Sequence, residues 1–424
     1  MFRFGRLNLA LALLLLLPTL ASAQRDSRYT REATRHIGIA MTRQDPAQQA
    51  ESYREALTHL REGMEREADN ARVWLLAGTV LAALGEMQEA DQAFTRAVQM
   101  HPEYAEEIAG ERESAWIVAF NEGLELMDEG RLDEAIERME GAQIIYNQRP
   151  EALMNLGALY ANSGDMAKAQ ESFEKAIEAT HGSLFEQIDD ETREMWLRYR
   201  EMAAVNVAQM LAARGVDSFN NNDFNEAETH FGRATELNPH SRDFWFNYLQ
   251  AVWAQVNERE DALEEDANPA AVERARNELP ALYDRSLEIV ETTRSFDPTN
   301  EVLFRVEAQA KRMKGELGGT DASREQGQNA AYAALERLDA LAVTVDNLVV
   351  YSDGAGIAIE GLIRNRKATE GTPVQIEFTF LNLEGNEIGR TTVTANAPAT
   401  DDVAQFTGRG EADGELAGWR YVIR

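Results

Sequence analysis

Residues 71–104 read ARVWLLAGTVLAALGEMQEADQAFTRAVQMHPEY, and the spacing within them decides the fold. Numbered from residue 71, Trp74, Gly78, Leu81, Ala90, Phe94, Ala97 and Pro102 stand at positions 4, 8, 11, 20, 24, 27 and 32. The physical logic is packing. Small residues at positions 8, 20 and 27 let two paired helices approach closely, and the large residue at position 24 fills the space between pairs. The same frame fits Leu153, Gly157, Tyr160, Ala169, Phe173 and Ala176 from residue 150, and Leu211, Gly215, Ala227, Phe231, Ala234 and Pro239 from residue 208. From residue 116 it fits Gly123, Leu126, Ala135, Met139 and Ala142.

Weaker copies flank these. From 37, Ala56, Leu60 and Gly63 fit a second helix, while Pro46 interrupts the first. From 242, Trp245, Tyr248 and Val252 fit a first helix, and its partner arrives late, at Ser286, Val290, Thr293 and Pro298. Thr299 to Met313 reads as a lone closing helix, of the kind a stacked array needs at its end. Extra residues enter at 103–113 and 191–207, the second with Trp196, Tyr199 and Met202 on one face. They are expected to lengthen the first helix of the repeat that follows.

A 34-residue period with these packing positions resembles the tetratricopeptide repeat. The resemblance implies an α-solenoid with protruding long helices over residues 24–313, and it implies binding of peptides or partner proteins in a groove lined by first helices. It implies no chemistry.

The ends of the chain read differently. Arg3 and Arg6, the apolar run Leu7 to Leu17, Pro18 and then Ala21-Ser22-Ala23 have the pattern of a secretory signal peptide over residues 1–23, cleaved before Gln24. The mature protein is expected in the periplasm or outside the cell. Residues 314–329 carry Gly315, Gly318, Gly319 and Gly327 among polar residues and read as a linker, followed by a helix from Ala330 to Leu341. From 342 to 424 the apolar period becomes two: Val343 and Val345; Ile357, Ile359, Gly361 and Ile363; Val374, Ile376, Phe378 and Phe380. Six or seven short strands separated by Gly-containing turns predict a small all-β, Ig-like sandwich that folds by itself. Ile359 to Asn365, Phe380 to Gly385, Phe406 and Trp419-Arg420-Tyr421 resemble the FxLYD-type domain of bacterial exported proteins, with Asn382 where that family has an acidic residue.

Charge and composition narrow the function. The net charge is −31, so a basic nucleic-acid footprint and attraction to anionic lipid are excluded as defaults. There is no cysteine, which removes thiol nucleophiles, disulfides and zinc ribbons. His101 and His240 sit beside Pro102 and Pro239 at turns between repeats, and His36, His59, His181 and His230 are scattered over separate repeats, so no metal or other cofactor is expected. Asp189-Asp190-Glu191 and Glu264-Glu265-Asp266 lack the spaced ligands of a calcium loop and read as solvated helix ends or inserts.

No catalytic set remains, so the expected function is binding. Concave-face positions of the repeat family map to Arg72, Leu75 and Thr79; Phe120, Leu124 and Asp128; Met154 and Asn162; Phe219 and Asn220; and Phe246, Gln250 and Trp253. Arg72 is the one basic residue among them, which disfavours capture of an acidic C-terminus. The lining suits an amphipathic or extended segment of a protein partner, with no nucleic acid and no membrane insertion. Two fates of the groove stay open: it receives a partner, or the chain's own long helices fill it. Two roles stay open as well, a scaffold or adaptor and a chaperone or delivery factor with transient clients.

Overall fold

A computed structural model describes residues 26–263 and 268–424. The signal-peptide reading and the Glu264-Glu265-Asp266 cluster lie outside the described residues. The chain divides into two compact units, with the boundary between Ala203 and Ala204.

The first unit is helical. It holds α1 (Arg28–Thr42), α2 (Pro46–Arg66), α3 (Ala71–Ala83), α4 (Met87–Met100), α5 (Ala105–Asp128), α6 (Leu132–Ile145), α7 (Pro150–Ser163), α8 (Met166–Ala179) and the start of α9 (Asp190–Asn220). Four of these helices start on side chains that accept from orphan backbone N–H groups: Ser27 and Thr30 form a reciprocal capping box at α1, and Asp45, Asn70 and Asp165 cap α2, α3 and α8. Pro46 corrects the reading of the first repeat. It stands at the first position of α2, where its missing N–H costs nothing, and the partner helix α1 lies upstream of it.

Repeat positions 8 and 24 meet as the spacing requires. A Cβ added to Gly78 would lie 2.5 Å from the Phe94 ring, one at Gly157 2.6 Å from Phe173, and one at Gly123 2.8 Å from Met139. Against the rigid Phe rings these are distances that real side chains do not tolerate, so there the small residue is the condition for the large one; the flexible end of Met139 can give way. The extra residues enter where expected: α5 is 24 residues long and α9 is 31.

The second unit begins within α9 and continues through α10 (Phe224–Leu237), α11 (Arg242–Asp261), α12 (Pro269–Phe296), α13 (Glu301–Leu317) and α14 (Asp321–Ala340). Gly215 faces Phe231 in the same way, with a built Cβ 2.7 Å from the ring. The structure replaces the linker at 314–329 with the end of α13, a short turn and the start of α14, so α13 is not a lone closing helix. The glycines have a different cause from flexibility. A Cβ on Gly315 would lie 2.6 Å from the Ser323 carbonyl, and one on Gly327 would lie 2.8 Å from both Gly315 Cα and the Lys311 carbonyl. They let the two backbones touch where the helices cross.

Glu307 ties this hairpin to α12. Its carboxylate, on α13, pairs with Arg294 at 2.6 Å, Lys311 at 2.5 Å and Arg337 at 2.6 Å. Burial alone would raise its pKa; hydrogen bonds from Lys311 and Arg337 and the charge of Arg294 outweigh it and hold the group at about 2. A carboxyl depressed in the folded state stabilises fully above its unfolded range and loses that contribution as pH falls through the folded value. The unit should therefore lose on the order of 2–3 kcal/mol between about pH 4.5 and pH 2 through this group. Glu307→Gln should flatten that part of the stability profile in acid titrations followed by denaturant unfolding.

The C-terminal strands are β1 (Val343–Ser352), β2 (Ile357–Asn365), β3 (Pro373–Leu381), β4 (Glu387–Asn396), β5 (Val403–Gly410) and β6 (Gly418–Ile423). They form two three-stranded sheets, ordered β1-β2-β5 and β4-β3-β6, with every pair antiparallel. Inward residues of both sheets, among them Ile359, Ile363, Phe406, Ile376, Phe378, Phe380 and Trp419, share one core.

Within this unit the strands join the helices through a buried polar seam. Tyr421 on β6 donates its hydroxyl hydrogen to Asp297, just past α12, at 2.7 Å. The same hydroxyl lies 2.8 Å from Thr299 Oγ1, which accepts from Val345 N at 3.2 Å. Asn238 Nδ2 donates to the Ala417 carbonyl at 2.7 Å, and Arg242 lies over the Trp419 ring, 5.8 Å from its centroid. Within the second unit the sandwich and the helices thus share a buried polar seam.

Candidate functional site

In the first unit, three of the residues assigned to a concave lining are core. Leu75, Phe120 and Met154 are 3 %, 1 % and 3 % exposed. These positions face outward in the repeat family, but here other parts of the same chain cover them. Phe120 stacks on Trp116 with 4.8 Å between ring centroids. Arg149 lies 4.6 Å from the Trp116 ring centre and 6.0 Å from that of Trp196, which stands on the inserted part of α9. Glu151, fully buried at the start of α7, accepts from Arg149 at 2.7 Å and from the Trp196 indole N–H at 3.2 Å. Over α7, then, the chain fills its own face.

What stays accessible in this unit is polar or partly covered. Asp128 and Asn162 are exposed, and Arg72, Thr79 and Leu124 are half-buried. The Glu111 carboxyl is held above its ordinary range chiefly by burial, with Glu107 adding to the rise and Thr79 opposing it.

The second unit keeps its lining nearer the surface. Phe219, Phe246 and Trp253 are half-buried, and Asn220 and Gln250 are exposed. Each aromatic has a ring or cation beside it: Phe224 for Phe219, at 5.2 Å between centroids; the Arg242 guanidinium for Phe246, at 4.6 Å; and Tyr283 for Trp253, at 6.5 Å. Phe246 and Trp253 also pack against the buried core of α11, α12 and α13. A half-buried ring held by its neighbours loses little freedom when a ligand covers its exposed part, which is the property of a contact anchor. The residues that family positions did not reveal are Arg149 and Trp196; an indole inside an inserted helical stretch was the available signal.

Sequence profiles described as Tetratricopeptide repeat match residues 47–105, 126–186 and 213–276. No curated protein matches the chain in sequence. Among solved structures, MamA is 16 % identical, covering 50 % of this chain and 94 % of its own, with a TM-score of 0.20. YrrB, titled a TPR protein with an unusual peptide-binding site, is 15 % identical over 54 % of this chain and 91 % of its own, with a TM-score of 0.21. The TPR domain of P58(IPK) is 12 % identical over 72 % of this chain and 98 % of its own, with a TM-score of 0.24. Superpositions of that quality transfer no ligand and no site. Helix pairs locked small residue against large in both units, together with repeat profiles over three stretches, make the chain a tetratricopeptide-repeat protein with an all-β C-terminal region.

Proposed function

We propose that this protein is a non-enzymatic, exported scaffold or adaptor, and that it holds one extended or amphipathic segment of a partner protein on the first helices of its second unit. A tetratricopeptide array is a protein–protein interaction scaffold; the finer reading rests on one observation. Phe219 and Asn220 on α9, and Phe246, Gln250 and Trp253 on α11, keep accessible aromatic and amide surface, whereas Leu75, Phe120 and Met154, the first-unit counterparts of Phe246, are buried. Export rests on the leader pattern of residues 1–23.

The test is recovery of the full-length protein from the cell envelope after in-cell crosslinking, comparing wild type with Phe219→Ala and Gln250→Lys. An anchoring aromatic contributes about 2 kcal/mol or more to a real interface, roughly a thirtyfold loss of affinity on truncation. Both variants should lose the crosslinked partner while keeping the wild-type melting temperature. A stoichiometric partner recovered equally well with both variants would sink the proposed face. Suppression of aggregation across unrelated clients, without any stoichiometric partner, would move the reading to a chaperone.

A further inference from the structure

The first two described helices bring together a donor cluster whose members are 23 residues apart in sequence, from His36 to His59. Glu32 and His36 are four residues apart on α1, and Glu55 and His59 are four residues apart on α2. That spacing places each pair side by side on its helix. The helices pack together, and the His36 and His59 rings stack with 5.6 Å between centroids. One donor atom from each of Glu32, His36 and His59 lies within 4.8 Å of the other two.

The groups converge on positive charge already. The Arg35 guanidinium sits 3.1 Å from the Glu32 carboxylate and 3.1 Å from Nε2 of His36, so a cation bridges the lone pairs of both residues. The Arg35 side chain is 63 % exposed and is free to swing into water. His36 is largely buried, and its Nδ1 has Glu55 Oε2 at 2.7 Å yet no aligned hydrogen-bond partner. A half-satisfied imidazole between two carboxylates is an unusual resting arrangement for a purely structural surface contact.

We propose that Glu32, His36 and His59 bind a zinc-type divalent ion, with Glu55 as the carboxylate that orients the His36 ring. Two imidazoles and a carboxylate suit a borderline metal; calcium and magnesium would ask for oxygen donors throughout. Zinc–ligand bonds near 2.0–2.2 Å put tetrahedral donors roughly 3.4 Å apart, a contraction that side-chain rotation supplies once Arg35 leaves. A carboxylate holding the far nitrogen of a metal-bound histidine is the usual outer support of such sites. The ion would staple α1 to α2, the first helix pair of the described array.

The experiment uses the full chain, stripped with chelator and free of any histidine tag. Zinc is titrated by calorimetry, and cobalt reports coordination through its visible bands. One ion per chain, four-coordinate cobalt bands and a rise in melting temperature are expected. His36→Gln and His59→Gln should each weaken zinc at least about a hundredfold, the upper range seen for loss of a mere supporting partner. Glu32→Gln alters a half-exposed side chain that no core depends on, so it keeps the test sound if a histidine variant folds poorly; it too should lose at least about tenfold. Arg35→Ala should tighten binding by removing the competing cation, and His181→Gln, at an exposed site elsewhere, should change nothing. Absence of stoichiometric zinc, or affinity unchanged in Glu32→Gln and in His36→Gln, overturns the site. Six-coordinate cobalt that survives these substitutions marks adventitious binding and overturns it as well.

Discussion

Replacing Asp297 with alanine should destabilise the second unit by about 3 kcal/mol or more, because it strands a buried arginine. Arg242 is 9 % exposed, and its Nε and one terminal nitrogen both donate to Asp297 Oδ2, at 3.0 and 2.6 Å. Asn300 Nδ2 donates to that oxygen at 2.8 Å, while Oδ1 accepts from Tyr421 at 2.7 Å. Asp243, half-exposed, remains with Arg242 at 2.9 Å, which keeps the expected loss toward the lower end of the range for broken buried pairs. Tyr421→Phe should cost less, about 1.5–3 kcal/mol, since it deletes one bond to a charged acceptor and leaves the arginine paired. The phenol is held protonated by burial first and by the Asp297 charge second, so the bond persists across the working pH range. The check is denaturant unfolding followed by helical circular dichroism and by tryptophan fluorescence. If the seam couples helices to strands, both signals shift together in both variants. A Tyr421→Phe protein whose helical transition stays in place would show the β region to be an independent body.

What the sequence revealed and what it hid divide along contact range. Gly78 with Phe94, Gly157 with Phe173 and Gly215 with Phe231 are each sixteen residues apart within one helix pair, so a repeating interval carries them and their packing could be read directly. The strands of 343–423 were legible for a similar reason, since alternation of Val374, Ile376, Phe378 and Phe380 is a property of neighbours. Asp297 and Tyr421 are 124 residues apart, and no period links them. The glycines at 315 and 327 show a second limit: composition cannot distinguish a flexible chain from two backbones in contact, because both need the missing Cβ. The lining of the first unit shows a third. Family positions describe helices of family length, and Trp196 enters from residues that the family frame does not contain.

That last substitution of the chain for a partner can be measured at Glu151. It is 2 % exposed, and it is the acceptor for both Arg149 and the indole of Trp196, itself fully buried. Glu151→Ala should cost the first unit about 3–5 kcal/mol, as the loss of one member of a buried ion pair does. Arg149 would be left with Glu113, at 3.3 Å and nearly half-exposed, and with the faces of two indoles, which favour a cation but do not neutralise it. Glu151→Gln keeps an acceptor for Trp196 and loses only the charge, so it should fall between wild type and alanine. The informative contrast is the double variant Arg149→Met with Glu151→Leu. Removing both charges and refilling their volume with apolar side chains removes the desolvation penalty along with the attraction, and such replacements are commonly neutral or stabilising by 1–4 kcal/mol. Chemical denaturation should therefore rank the double variant above Glu151→Ala and near wild type. If Glu151→Ala alone unfolds at the wild-type midpoint, the Trp116–Arg149–Trp196 stack is held by apolar burial, and the carboxylate is not what closes the face of α7.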